Sequence, residues 1–542
     1  MSRIKKASIS GSVLALCMVL GATVLVSTAW ADPPDPQPLP PTGNCYRDNI
    51  FYGAVPPGGE NAPVIVFVHG YGGLAIDWWL RVPPYFDNDS YVRAYEAGYR
   101  TAFVNMNVDP AAPNCSVART PSQSVIYDGF VLGLQIEVIS QYYGADQVDI
   151  VAHSKGGIDA QAAILWFGAA NRVRNVFTLS SPHQGSLLAD LLWSPEGSWL
   201  GWLLGRRDAG TFSIQTGPMQ LFRAIADAST ADDGISYYSA AGNDYSADGP
   251  GLQWTGAYLE AQPTGGPNDG AVTVNSTYLP YASVLFQEPW DHLQMFMGRN
   301  AFPYILAVLR GTQAPARAQA APAGLPDALP LSTMVRGGPL DGVARVTIPV
   351  EPQAQAVRFA LFTSQKDARA ALVDPAGTAH DFQAVPAAAH GLPEMPPLQQ
   401  ATVEHPTPGQ WRLRISGQGG YLLLVMLDST LSVELQGIPD RLLAPGETLY
   451  LSARSAAGQP GVQRLAVRLS NRTGSVSGTA AAGAQLAVPI SQQPGFYGMS
   501  VSVSGQTNGG LPFERTFVRS VGVVDGADLA GGSGLLNALL QP

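Results

Sequence analysis

Hydrophobic and polar positions along this chain follow two different regimes. Short, continuous apolar runs occur at 64–68, 101–104, 148–152, 176–179 and 235–240. Such short runs, dominated by apolar residues, predict strands buried on both faces. Between them lie longer stretches with helical spacing. Over 124–143, Ile126, Phe130, Leu134, Val138 and Tyr142 recur four residues apart, which predicts a helix with these residues as its buried stripe. The segments 158–169 and 293–309 read the same way. Strands alternating with helices predict an α/β fold, a doubly wound and mostly parallel sheet, over residues 62–310.

Beyond residue 328 the pattern changes. The segments 344–350, 411–415, 465–469 and 497–503 alternate or run apolar, and Gly, Pro, Asp and Asn punctuate them every ten or so residues. This predicts one or two antiparallel, sandwich-like β domains, placed at 329–433 and 434–525, followed by a tail at 526–542. An Ala- and Pro-rich stretch, 311–328, reads as a linker, and a Pro-rich leader occupies 32–61.

The first 31 residues have the pattern of a secretory signal peptide. Arg3, Lys5 and Lys6 precede an apolar run from Val13 to Val26, and Ala29-Trp30-Ala31 offers small residues for cleavage after Ala31. An uncleaved membrane anchor is the alternative reading. Cys17 sits inside the run, so export leaves Cys45 and Cys115, which in an oxidising compartment are expected to form one disulfide. Removal of three positive charges and no acids would take the formal charge from −10 to −13.

Composition narrows the function classes. Hydrophobic residues make up 46% of the chain, which excludes wholesale disorder. Charged residues make up only 13%, against roughly 25% in an average soluble domain. No basic stripe is present, so no nucleic-acid partner is expected.

The third predicted strand runs directly into Ala152-His153-Ser154-Lys155-Gly156-Gly157 and then a helix. A serine at a tight strand-to-helix turn projects above the sheet, and the helix N-terminus behind it favours developing negative charge. The usual first glycine of G-x-S-x-G is Ala152 here, the next smallest residue. A nucleophilic serine needs a base. Of the seven histidines, His380, His390 and His405 lie in the β region. His69, His153 and His183 lie at strand ends as hydrogen-bonding residues, which leaves His292 as the expected base. The acid is expected between Ser154 and His292. Asp269, 23 residues before His292, is the first choice and Asp244 the runner-up. His69-Gly70-Tyr71-Gly72-Gly73 ends the first strand, and the backbone amides of Tyr71 and Lys155 are the expected oxyanion donors.

These segments (VFVHGYGG, VAHSKGG, SSPHQGS, NDGAV and DHL, in that order) resemble the secreted bacterial lipases of the α/β-hydrolase superfamily over residues 62–310. The resemblance implies carboxylic ester hydrolysis, with acylglycerols the usual substrates, and matches Ser154, Asp269 and His292 to that family's triad. Several members carry a structural calcium on an Asp two residues after the catalytic His. Here that position is Gln294, so neither calcium nor any other metal or cofactor is expected. The β region beyond 330 has no counterpart in the simple lipases.

An insertion at 186–230 carries Trp193, Trp199 and Trp202 among many leucines and reads as a lid over the site, with ordinary packing as the alternative. Beyond residue 31 the only lysines are Lys155 and Lys366. The Lys155 side chain is expected to point to solvent with only its amide used; a cation acting beside the nucleophile is the other reading. The functional expectation is therefore a secreted serine esterase or triacylglycerol lipase whose partner is an apolar ester or a lipid interface. Polyester depolymerisation, with the β domains gripping a polymer surface or another ligand, is the alternative. A peptidase and a non-catalytic surface scaffold are lesser ones. Nothing in the sequence bears on oligomeric state.

Overall fold

The computed structural model describes residues 32–526, except 83–85, 112–114, 116, 120, 199–206, 230–233, 247–249, 313–324, 386–396, 456–460 and 482. The expected signal segment, most of the linker, His390, Trp199, Trp202 and nearly all of the tail lie outside the described residues. Among those described, no helix is long and apolar enough to cross a membrane.

Eight strands form the central sheet: β1 (Gln37–Pro38), β2 (Ile50–Tyr52), β3 (Val64–Val68), β4 (Arg100–Val104), β5 (Val148–His153), β6 (Val173–Leu179), β7 (Ser236–Gly242) and β8 (Ser283–Glu288). Their spatial order is β1-β2-β4-β3-β5-β6-β7-β8. The first two strands are antiparallel additions, and the six from β4 to β8 run parallel. Alternate residues of β3 serve two cores. Val64, Val66 and Val68 pack on one face with Leu132, Ile136 and Ala160, while Ile65 and Phe67 pack on the other with Trp78, Tyr91 and Phe302. The first face is covered by α2 (Val125–Tyr143) and α3 (Lys155–Trp166), the second by α1 (Ser90–Glu96) and, near the end of this half, Gly298–Leu309.

Helix α2 forms as expected, begun by a Ser124 cap on the Tyr127 amide and ended by left-handed Gly144. Its buried side follows the stripe expected from four-residue spacing only in part: Ile126 is buried and Val138 packs on the core. Phe130, Leu134 and Tyr142 are exposed, whereas Leu132, Ile136 and Ile139 are buried. The helix lies glycine-side down: a Cβ on Gly129 would sit 2.5 Å from the Ala162 Cβ, and one on Gly133 would sit 2.5 Å from the Phe167 carbonyl oxygen. Close approach of α2 and α3 therefore selects the face with the smallest residues.

Between β6 and β7 the insertion folds as α4 (Leu187–Trp193), α5 (Ala209–Ser213) and α6 (Thr216–Ser229), and α7 (Pro250–Glu260) follows β7. The Gly298–Leu309 helix is α8.

Beyond the linker the strands of the described residues form two sandwich-like units. In the first, the long strands β9 (Thr333–Val350), β10 (Ala354–Thr363) and β11 (Gly409–Ser429) build a seven-stranded antiparallel sheet around Trp411, Phe359 and Leu423. In the second, β12 (Val462–Ser470), β13 (Gly495–Gln506) and β14 (Pro512–Val523) face a four-stranded sheet across Val501, Phe517, Leu435 and Leu451. The strand Ala328–Pro330, next to the linker, pairs with Val433–Gln436 in this second unit.

The β half packs on the inserted helices. Leu191, Trp254 and Tyr258 share one apolar cluster with Val335, Phe362 and Leu424. Trp193, Phe212 and Phe222 share another with Phe496 and Val524. Thr216 donates its hydroxyl to the Ser520 carbonyl (3.1 Å), and Ser500 donates to Glu196 (2.7 Å).

Gly129→Val should overpack the α2–α3 contact and lower the unfolding free energy by about 1–3 kcal/mol, read from denaturant titration.

Candidate active site

Strand β5 ends at His153, and the chain must reverse within one residue to enter α3. Ser154 takes that residue, at φ 55° and ψ −131°. A side chain in this region of backbone space is strained and persists only where its surroundings enforce it. The enforcement is visible. The Ser154 amide donates to the Leu179 carbonyl (2.9 Å), and three glycines let neighbouring backbone close in. A Cβ at Gly70 would lie 2.6 Å from the Ser154 Cβ, one at Gly156 2.4 Å from the His69 carbonyl oxygen, and one at Gly157 2.1 Å from the Ser181 hydroxyl.

The three side chains singled out by the sequence meet at this turn. The Ser154 hydroxyl lies 3.1 Å from His292 Nε2, and His292 Nδ1 lies 2.7 Å from the Asp269 carboxylate. Asp269 is fully buried, and its other oxygen accepts the amides of Ala271 and Val272 (2.9 and 2.7 Å). The His292 amide also donates to the Asp269 carbonyl, so backbone and side chain hold the pair together. This line leaves the serine proton with an acceptor in reach and gives the imidazolium that would form a fixed counter-charge. Asp244 takes no part: it is half-buried in the loop after β7 and accepts the Ser246 amide (2.7 Å). His292 lies ahead of a short 3-10 turn, Gln294–Phe296, and not on α8 itself.

Two further histidines brace the site. His153 Nε2 donates to the His292 carbonyl (2.9 Å), and its ring stacks on Phe296. Burial, and then the neighbouring His292, hold His153 well below its ordinary range, so it is a neutral strut. His69 donates from Nδ1 to the Gly70 carbonyl and accepts the Met106 amide at Nε2, and burial lowers it too. A cavity above Ser154 is lined by Gly70, Tyr71, Trp78, His153, Leu293 and Phe296 among others, a largely apolar wall.

Lys155 departs from expectation. Its side chain does not reach solvent; it is 1% exposed and sits between Asp128 (2.6 Å) and Asp159 (2.8 Å). Burial alone would lower the ammonium, but the two carboxylates outweigh it and raise it. Burial raises Asp159 well above the carboxylate range, with Lys155 opposing and Asp128 adding to the rise. The i,i+4 spacing of Lys155 and Asp159 was legible in the sequence, whereas Asp128 comes from α2. The group locks the first turn of α3 to α2 directly beneath Ser154.

The glycine-rich turn after β3 is held from two sides that the sequence did not reveal. Arg119 donates to the Gly72 carbonyl (3.1 Å) and to both Asp77 oxygens (2.8 and 2.6 Å). The Tyr71 hydroxyl donates to Asp208 (3.0 Å). Arg119 follows Cys115, which forms a disulfide with Cys45. Trp193, from the expected lid, is buried and packs on Phe212 and under Arg207, away from the cavity wall. Among the described residues no cluster of metal-ligating side chains occurs.

Comparison with solved structures gives these elements a lineage. A Bacillus licheniformis lipase in its propeptide form aligns at 27% identity and a TM-score of 0.68, covering 88% of this chain and 98% of its own. The mature form of that lipase aligns at 34% identity over 97% of its own chain and 48% of this one, with a TM-score of 0.40. The chain belongs to the bacterial lipases of the α/β-hydrolase superfamily. As a member of this lipase family it is a carboxylic ester hydrolase. The β half is part of the likeness, since the propeptide form extends across both halves. No family model and no curated protein matches the sequence.

Replacing Lys155 by Met would leave Asp128 and Asp159 buried without their cation, at a cost of about 3–5 kcal/mol of stability. The burial that already raises Asp159 would then be unopposed by a cation. The variant's deficit should shrink as pH falls from 8 to 5 and grow as it rises, measured by denaturant unfolding at each pH.

Proposed function

We propose that this lipase hydrolyses apolar acyl esters, acylglycerols foremost, through an acyl-enzyme on Ser154. The observation that carries the reading is the unbroken line from the Ser154 hydroxyl through His292 to buried Asp269. Ser154 Oγ attacks the ester carbonyl carbon while its proton passes to His292 Nε2. The carbonyl oxygen, now negative, lies toward the amides of Tyr71 and Lys155, each worth on the order of 3 kcal/mol to the transition state. Collapse breaks the ester C–O bond, and the alcohol leaves with the proton from His292. Water then repeats the sequence on the acyl-enzyme: it gives a proton to His292, and Ser154 recovers that proton as the acid departs. Asp269 stays ionised throughout and holds the imidazole in place.

Trp78, Leu293 and Phe296 along the cavity support an apolar acyl group over a charged one. Arg3, Lys5 and Lys6, the apolar run after them and the Cys45–Cys115 disulfide support export with cleavage after Ala31. The β half supports a pro-enzyme reading, because the relative's propeptide form spans 88% of this chain and its mature form about half.

Ser154→Ala should lower kcat on nitrophenyl esters by about a million-fold with an unchanged unfolding midpoint. Retained activity would overturn the nucleophile assignment. Triglyceride emulsions and polyester suspensions, compared at equal enzyme, separate the lipase reading from depolymerisation. For the pro-enzyme reading, limited proteolysis followed by intact mass should show one early cut within 311–328 and two persistent fragments. First cuts inside either sandwich would count against it.

A further inference from the structure

The turn that carries Tyr71 has little stiffness of its own. It reads Gly70-Tyr71-Gly72-Gly73, with Gly72 at φ 64°, and its Gly73 amide donates to the Gly70 carbonyl (3.0 Å). Glycines leave backbone free to rotate. An oxyanion donor, in contrast, has to sit within a few tenths of an ångström of its place. Something outside the turn must set the direction of the Tyr71 N–H.

One restraint is Arg119 on the Gly72 carbonyl. The other comes from the inserted helices. Asp208 caps α5 by accepting the Thr211 amide at Oδ1 (2.9 Å). Its Oδ2 accepts both the Tyr71 hydroxyl (3.0 Å) and the Ser122 amide (2.7 Å). The carboxylate is 8% exposed and can move little. The Gly210 amide donates to the Ser122 carbonyl (2.9 Å), and a Cβ on Gly210 would meet the Ser122 hydroxyl at 2.7 Å, so α5 is itself seated on the loop at Ser122. The acceptor of the Tyr71 hydroxyl is thus built into a rigid junction, and that acceptor belongs to the insertion, 137 residues away in sequence.

We infer that Asp208 is a positioning residue for the oxyanion donor: by gripping the Tyr71 hydroxyl it aims the Tyr71 amide, and it makes that aim conditional on the seating of α5. The inference rests on the serine-hydrolase reading of the site and adds to it a link between the inserted helices and the chemistry. A displacement of α5 reaches the oxyanion side of the site without touching Ser154, His292 or Asp269.

The test uses the full chain with a short-chain nitrophenyl ester. Tyr71→Phe removes one hydroxyl, and Asp208→Asn keeps the shape and the cap while removing the charge. Each should lower kcat about 10- to 100-fold with KM within about twofold, the signature of a donor misplaced by up to an ångström. The double variant should be no slower than the slower single one, because both remove the same contact. Trp411→Phe, in the core of the first β unit and outside this junction, is the stability control; it should lower Tm and leave kcat unchanged. Unchanged kcat in both single variants, losses that multiply in the double variant, or a matching kcat loss in Trp411→Phe would each overturn the inference. Ser154→Ala, run alongside, separates the two levels. If it is inactive while Tyr71→Phe is unimpaired, only the role of Asp208 falls; if it is active, the serine reading itself falls.

Discussion

The whole site depends on one steric constraint: the sharp reversal at Ser154. A residue at φ 55° and ψ −131° is unfavourable in isolation, by roughly 1–3 kcal/mol, and is kept only by what surrounds it. Here the surroundings are a β3 turn without side chains at Gly70, a helix start without side chains at Gly156 and Gly157, and a buried cation at Lys155 tied to two helices. The hydroxyl is aimed by the sheet, the imidazole by Asp269 and His153, and the oxyanion side by a turn restrained at both ends. Each partner is fixed by a different element, so the geometry holds only when β3, β5, β6 and the loop at His292 are all in register.

The parallel sheet and the reacting residues were legible because their signals are local. A five-residue apolar run can hardly be anything but an interior strand, and a serine between a strand and two glycines has few structural uses. Elimination among seven histidines reached His292 for the same reason. What escaped the sequence was everything that depends on which face turns inward. The α2 stripe at Phe130, Leu134 and Tyr142 is as apolar as the buried one, and only the glycines at 129 and 133 decide between them. Lys155 looked solvent-bound because its counter-charge Asp128 is 27 residues away on another helix. Asp208 was equally silent: an acid at a helix start is explained by capping alone.

The insertion has the β half on one side and the site on the other. Its helices bury apolar side chains against the β half through Leu191, Trp193 and Phe212 and reach the site through Asp208. Within the β half the two sandwiches are pinned by a buried ion pair between Glu351 and Arg515, whose Nε also donates to the Leu331 carbonyl (3.1 Å). A buried pair of this kind adds little net stability, but loss of either partner strands a charge.

The pairing of Ala328–Pro330 with Val433–Gln436 has a topological consequence. The chain re-enters sheet structure just past the linker, yet it does so on the far side of the boundary. Among the described residues, every strand ladder is contained either in residues up to 288 or in residues from 328 onward. The two halves are thus joined by covalent continuity and by side-chain packing, and share no sheet. A single scission between Thr312 and Leu325 would break one peptide bond and leave every ladder among the described residues whole on one side or the other.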